Sequence, residues 1–254
     1  MEAERMGPSS RLLVATDLSG PSLRAVDRAF ELARESGAAC TVLHAMGMDL
    51  EGAWRELLGE QAEMVSARAV ERQRAALERL VAASDRHRGV RVDVRVERGF
   101  ATDAVPASAE SLDAALVVVG AHGHGFLQRV LLGSTSSTLL RKSRRPVLVV
   151  KAPTRGPYRH ALIPVDFSPG SEAALRFLLH ALPRTERVLL HAFDVPLESM
   201  LRHDACDLVV MGKHGTHVTE ELLLGSVTKR VLAESHADVL VVVDDRRPHE
   251  PIGA

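Results

Sequence analysis

Two glycine-containing segments of this sequence have the residue types of an anion-binding loop. In the first, an apolar run ends at Gly120, Gly123 follows after two residues, and Gly133 and Ser134 follow after nine more. Glycines adopt backbone conformations closed to other residues and leave room for a ligand. The segment from Ser134 has helical character, and a helix start offers free N–H groups and partial positive charge. The spacing therefore predicts a phosphate-binding loop.

The same spacing occurs again in the second half of the chain. Gly212, Gly215, Gly225 and Ser226 repeat it between two apolar runs. One glycine pattern is weak evidence, but two copies with identical internal spacing indicate an internal repeat. No Gly-Lys-Ser/Thr follows a GxxxxG, so the loop is not a Walker P-loop, and the absence of GxGxxG disfavours a nicotinamide cofactor.

The pattern Gly-x2-Gly-x9-Gly-Ser after a buried strand resembles the nucleotide-binding signature of the universal stress protein family. The likeness covers nearly everything between residues 11 and 244, so the chain resembles a tandem universal stress protein. The resemblance implies a cytoplasmic protein that binds ATP with Mg²⁺. It also implies that the nucleotide serves a stress response or signalling and is not turned over.

The resemblance also implies where the nucleotide lies. Adenine and ribose are expected at the end of the first strand, with Asp17 accepting a hydrogen bond from the adenosine, and the phosphates at the helix start. Arg129 either directs its charge to the phosphates or is a solvated helix residue. The first site is assigned to Ala15, Thr16, Asp17, Met46, Gly120, His122, Gly123, Arg129, Gly133, Ser134, Thr135 and Ser136. The second is assigned to Pro164, Val165, Asp166, Gly212, His214, Gly215, Gly225, Ser226, Val227 and Thr228.

Two other functions remain open from the sequence. One is slow ATP hydrolysis or autophosphorylation, with Ser134 or Thr135 as the acceptor. The other is a nucleotide-free interaction module that recruits a partner through an exposed strand edge of the second half. No Ser-His-Asp or paired-carboxylate pattern is present, so no catalytic residue is assigned. The loop histidines, including His122 and His214, lack neighbouring ligands, so no metal site is predicted.

Apolar runs alternate with helical periodicity along the chain, which predicts α/β architecture with a parallel sheet. Pro106 is expected to limit the start of its helix. The first half is predicted to contain a strand over 11–17, a helix up to Gly37, a strand over 38–46, one long or two short helices within 49–88, a half-exposed edge strand over 90–99 and a short helix over 102–112. The resemblance implies the Rossmann-like strand order 3-2-1-4-5, which brings Asp17 beside Gly120.

The second half is shorter than the first. Asp17 and Gly120 are 103 residues apart, whereas Asp166 and Gly212 are only 46 apart. The missing length matches the long helix and the third strand, so the second domain is expected to keep about four strands. The predicted division is a flexible tail (1–10), a complete first domain (11–151), a linker (152–159), a reduced second domain (160–244) and a tail (245–254).

The expected partners are the nucleotide and the chain itself. The final strands, near 146–151 and 239–243, are expected to pair and form an intramolecular pseudo-dimer, and a homodimer of whole chains stays open. A net charge of −1 and 3% aromatic residues argue against binding to nucleic acid or to an anionic membrane. No apolar run reaches the length of a membrane span. Cys40 and Cys206 are expected to be reduced core residues.

Overall fold

The computed structural model describes residues 6–47, 62–121, 132–191, 206–213 and 224–243. Its first half contains β1 (Arg11–Ala15), α1 (Gly20–Ser36), β2 (Ala39–Ala45), α2 (Ala62–Ala83), a 3-10 helix (Asp85–His87), β3 (Val92–Glu97), α3 (Ala101–Ser111), β4 (Leu116–Gly120), α4 (Ser134–Lys142) and β5 (Val147–Val150). Its second half contains β6 (His160–Pro164), α5 (Pro169–Ala181), β7 (Glu186–Leu190), β8 (Leu208–Gly212), α6 (Ser226–Glu234) and β9 (Asp238–Val242).

The nine strands form one sheet in the order β3-β2-β1-β4-β5-β9-β8-β6-β7. Neighbours within each half are parallel, whereas β5 and β9 pair antiparallel, with Leu148 opposite Leu240. The first five strands follow the order 3-2-1-4-5, and the described residues of the second half contribute four more. The predicted fold class, an open parallel α/β sheet followed by a reduced copy, is confirmed.

Apolar side chains cover both faces of the sheet. Leu12 and Val14 lie in a core with residues of α1 and α5, and Leu13 lies in a second core with residues of α3, α4 and α6. The wholly apolar sequence of β4 is explained by this, because all five of its residues are buried. None of the described helices combines the length and hydropathy needed to cross a membrane.

Local signals account for most of the helix boundaries. Ser19 caps α1 by accepting a hydrogen bond from the N–H of Ser22, and Gly37 ends that helix at a φ of 75°. The prediction for Pro106 is wrong, because α3 begins at Ala101 and contains Pro106 in its interior. A proline removes one hydrogen-bond donor there, and burial of Val105 and Ala109 against the sheet offsets that loss.

The two cysteines differ in their environment. Cys40 is fully buried in β2, and burial raises the pKa of its thiol to about 12. Cys206 is only partly buried at the margin of the second core, so the prediction of a core position is wrong for that residue. Both are unpaired thiols.

The edge strand β7 is less covered than its counterpart β2 in the part of the chain that the structure describes. In the first half, α2 and β3 cover β2, and Val42 is 0% exposed. In β7, which pairs with β6, Val188 is 54% exposed and Leu189 is 57% exposed. His44 and His191 confirm the equivalence of β2 and β7, because each places Nδ1 within 2.8 Å of a carbonyl oxygen just beyond the neighbouring strand, Thr16 and Val165 respectively.

This difference predicts unequal effects of equivalent substitutions. Val42 and Leu189 each lie two residues before the equivalent histidine. Val42→Ala is expected to reduce the free energy of unfolding by about 2 kcal/mol, because it leaves a cavity in the core. Leu189→Ala is expected to change it by about 0.5 kcal/mol or less, because that side chain is mostly exposed. Urea unfolding of both variants tests this, and equal losses would show that β7 is covered in solution.

Candidate functional site

A pocket of about 230 Å³ opens at the carboxyl ends of β1 and β4. This first site brings together most of the residues assigned to it from the sequence. Those that line the pocket are Ala15, Thr16, Asp17, Gly120, Gly133, Ser134, Thr135 and Ser136. Met46 lies just past β2, where its N–H donates to the carbonyl of Glu97, and it does not line the pocket. His122, Gly123 and Arg129 lie outside the described residues.

Sequence reasoning missed the apolar wall of this pocket. The wall is formed by Leu43, Ala45, Ala101, Val105, Val119 and Leu139. Leu43 and Ala45 alternate on one face of β2, and Ala101 and Val105 are one helical turn apart on α3. These spacings were visible in the sequence, but they are also the ordinary spacing of core residues, so they did not indicate a ligand.

The start of α4 faces the pocket without a side-chain cap. Its N-cap is Gly133, and no described side chain accepts a hydrogen bond from its first turn. By contrast, serines cap α1 and α5. Ser134 and Thr135 are exposed, and the first N–H groups of a helix have no partner within the helix. With respect to the described residues, this arrangement leaves N–H donors and the positive end of the helix dipole available to an anion.

In each glycine segment, one hydroxyl group in the first turn of the helix binds the end of the strand that precedes it. Ser136 Oγ donates to the carbonyl oxygen of Gly120 at 2.7 Å, and Thr228 Oγ1 donates to that of Gly212 at 3.2 Å. Both side chains are buried. Their hydroxyl protons are therefore used within the protein, which leaves the backbone N–H as the donor that Ser136 can offer a ligand.

The first glycine of each pattern is required by helix packing. A Cβ atom on Gly120 would lie 3.1 Å from the carbonyl oxygen of Pro21, in the first turn of α1. A Cβ atom on Gly212 would lie 2.6 Å from the carbonyl carbon of Gly170, in α5. The absence of a side chain at these two positions lets each helix approach its strand end, and no ligand is needed to explain it.

The acidic residues after β1 and β6 are held by equivalent hydrogen bonds in the two halves. Asp17 Oδ1 accepts hydrogen bonds from the N–H and the hydroxyl of Ser19, and Asp166 Oδ1 accepts the equivalent pair from Ser168. Burial raises the pKa of Asp166, but the hydrogen bonds from Ser168 outweigh it, so the pKa lies below its usual value. Asp166 is therefore a carboxylate at neutral pH.

The second site, at the carboxyl ends of β6 and β8, repeats the backbone of the first. Gly225 is the N-cap of α6 with a φ of −54°, close to the −56° of Gly133, and it also lacks a side-chain cap among the described residues. Ser226 and Val227 are exposed in the first turn. Pro164 ends β6, and Val165 follows it. His214 and Gly215 lie outside the described residues.

The described residues contain no group of three histidine, cysteine or acidic side chains close enough to hold a metal ion. Among the described residues, the first site is formed by backbone donors, the carboxylate of Asp17 and an apolar wall.

The chain belongs to the universal stress protein family, whose sequence profile matches residues 8–151 and 197–243. A universal stress protein of Methanocaldococcus jannaschii is 28% identical over 151 residues, which cover 57% of this chain and 84% of that protein. One from Mycobacterium bovis is 28% identical over 269 residues, covering 79% of this chain and 86% of its own length. The crystal structure of a universal stress protein from Archaeoglobus fulgidus superposes with a TM-score of 0.66, at 18% identity, over 92% of this chain and 98% of that one.

Proposed function

We propose that this protein binds ATP with Mg²⁺ at the first site, and that the bound nucleotide serves as a signal in a stress response in the cytoplasm. The observation that carries the proposal is the uncapped start of α4, which opens onto a pocket with an apolar wall and a carboxylate. An anion-binding end beside an apolar wall suits a ligand with a phosphate at one end and an aromatic base at the other.

The residues fit the parts of the nucleotide. The adenine packs against Leu43, Ala45 and Val105, and Asp17 accepts a hydrogen bond from the ribose. The pocket volume of about 230 Å³ is below the range of about 300–1,000 Å³ typical of ligand pockets. The pocket therefore takes the nucleoside, and the phosphates extend along the exposed residues Ser134 and Thr135. Mg²⁺ keeps most of its waters and is held mainly by the phosphates.

The second site is proposed to bind a nucleotide in the same manner, because its helix start and carboxylate repeat the first. In this proposal the chain consists of two domains, 11–151 and 160–244, joined by the linker 152–159. The antiparallel pairing of β5 with β9 supports the proposal that the two domains form an intramolecular pseudo-dimer. Turnover is not part of the proposal, because no described base is hydrogen-bonded to the hydroxyl of Ser134 or Thr135.

Mg-ATP is expected to stabilise the nucleotide-stripped protein in a thermal unfolding experiment, by about 2.7 kcal/mol per occupied site at a hundredfold excess over the dissociation constant. Ser134→Glu should abolish the part that comes from the first site. Glutamate in the first turn is favourable for a helix, so the variant stays folded, while its charge repels phosphate. Ser226→Glu is the matched change at the second site.

Ser134→Gln and Ser226→Gln are the uncharged controls, and they should retain the effect of ATP. A wild-type protein that ATP does not stabilise would exclude the proposal. It would favour the second candidate, an interaction module, which rests on the exposed side chains of Val188 and Leu189 in the edge strand β7. A stabilisation that survives both glutamate substitutions would place ATP elsewhere on the protein.

A further inference from the structure

Lys213 connects α4 and α6, the helices that begin at the two sites. It follows the first glycine of the second pattern, where a basic side chain would be expected to bind phosphate. Instead its side chain is buried, with only 4% of the residue exposed. Its Nζ donates to the carbonyl oxygens of Arg141 at 2.7 Å and Ser143 at 3.2 Å. These carbonyls form the C-terminal end of α4, so a lysine of the second half caps a helix of the first.

The backbone of Lys213 belongs to the second site. Its N–H donates to the carbonyl oxygen of Val242 at 2.8 Å, which fixes it to β9. Its own carbonyl oxygen accepts a hydrogen bond from the N–H of Gly225, the N-cap of α6, at 3.3 Å. One residue therefore contacts the start of the second-site helix through its backbone and the end of the first-site helix through its side chain.

Lys151, a lysine of the first half, makes the reciprocal contact with α6 of the second half. Lys151 Nζ donates to the carbonyl oxygens of Leu232 at 2.8 Å and Ser235 at 2.7 Å, at the C-terminal end of α6. Lys151 follows Val150, whose carbonyl accepts from the N–H of Ala121, and Ala121 in turn accepts from the N–H of Gly133, the N-cap of α4. Lysines at non-equivalent positions thus make the same contact in both directions.

The sheet explains why these contacts reach the far site. Because β5 and β9 are antiparallel, β4 and β8 run in opposite directions. Their carboxyl ends, and with them the two sites, therefore lie at opposite ends of the strands. The helix α4 starts at the first site and, with nine residues, is about 14 Å long. Its end lies beside the second site, and α6 runs in the reverse sense. A positive charge at a helix C-terminus stabilises the helix.

We propose that Lys213 is a positioning residue that couples the two sites, so that a nucleotide at the second site strengthens nucleotide binding at the first. A ligand that orders the start of α6 also orders Gly225 and the backbone of Lys213. The lysine then holds the end of α4. Binding at the first site therefore costs less conformational entropy. This coupling rests on the proposed function and adds a regulation to it.

The test is a calorimetric titration of Mg-ATP into the full-length, nucleotide-stripped protein. Ser226→Glu reports the first site alone, and Ser134→Glu reports the second alone. Without coupling, the wild-type isotherm is the sum of these two. With coupling, the wild-type second binding event is expected to be about fivefold tighter than that sum predicts, the lower end of typical coupling between sites.

Lys213→Met should abolish the difference, because methionine has similar length but donates no hydrogen bond. The glutamate variants are repeated in this background to give its own sum. Lys213→Arg, which keeps a cation with donors, should restore the coupling. Lys142→Met is the matched control, because Lys142 lies in the last turn of the same helix but pairs with Asp103 in its own half. That variant should stay coupled.

Each result decides a separate point. Coupling lost in Lys213→Met and kept in Lys142→Met supports the proposal. A wild-type isotherm equal to the sum, binding at one site only, or coupling that persists in Lys213→Met overturns it while leaving nucleotide binding intact. No binding at either site overturns the proposed function as well. If Lys213→Met does not fold, Lys151→Met decides, and unchanged coupling in that variant counts against the proposal.

Discussion

Replacing Gly212 with alanine is expected to destabilise the protein by about 3 kcal/mol or more, at the upper end of the range for overpacked positions. The added Cβ would lie 2.6–2.8 Å from the carbonyl carbon, Cα and oxygen of Gly170. These are backbone atoms of α5, which cannot turn aside as the end of a side chain can. The helix must move off the strand, which also disturbs the turn that carries Asp166. Urea unfolding followed by circular dichroism measures the loss.

Gly120→Ala is the matched control in the first half. Its Cβ would lie 3.1 Å from the carbonyl oxygen of Pro21 and 3.2 Å from the Cα of Ser22, so shifts of a few tenths of an ångström relieve the contact. Alanine also restricts the unfolded chain, which favours folding by about 0.4–1 kcal/mol. A net loss of about 1 kcal/mol or less is expected. Equal losses in the two variants would show that α5 is not packed as tightly as the distances indicate.

Asp238→Ala is expected to have the second large effect, a loss of about 3–5 kcal/mol typical of breaking a buried ion pair. Asp238 is 1% exposed and lies 3.5 Å from Arg28 Nε, whose side chain is 5% exposed. It accepts hydrogen bonds from the N–H groups of Lys151 and Ala152 and from the Tyr158 hydroxyl, the last at 2.5 Å. Its removal leaves the Arg28 cation buried without its carboxylate, and it takes away the acceptor of the Lys151 and Ala152 N–H groups.

Asp207→Ala is the control for this second variant. Asp207 also accepts two backbone hydrogen bonds, from Arg159 and His160, but in an exposed setting. Its loss is expected to be about 1 kcal/mol. In the double variant Arg28→Met/Asp238→Ala the loss should be smaller than the sum of the single losses, because the unpaired cation is gone. Additive losses, or an Asp238→Ala effect no larger than that of Asp207→Ala, would contradict the role of the buried pair.

The sequence predicted the parts of the structure that depend on local pattern. The unbroken apolar run of β4 and the paired glycine spacings identified the strands, the helix starts and the floor of the first site. The serine caps of α1 and α5 are local features of the same kind, because a cap acts within a few residues of its helix. The exposed edge strand could be predicted by comparing the two copies of the pattern. The second copy is too short after β7 to contain the long helix and the third strand.

The contacts between the halves could not be predicted in the same way. Lys213 and Arg141 are far apart in sequence, and their contact depends on the antiparallel register of β5 and β9. Nothing in a Gly-Lys-His-Gly segment indicates that its lysine points away from the local loop. Pro106 was misjudged because a proline usually marks a helix start, and the burial that tolerates it inside α3 is a tertiary effect.

The antiparallel joint between β5 and β9 constrains how any signal can be transmitted. In proteins whose domains meet at a flexible linker, a ligand can act by closing one domain on the other. Here the joint is a ladder of backbone hydrogen bonds in the middle of a continuous sheet, with fixed register from Val147 to Val149. Bending it would break that ladder. We therefore expect the halves to move little against each other, and a ligand to act through the helix ends that Lys213 and Lys151 contact.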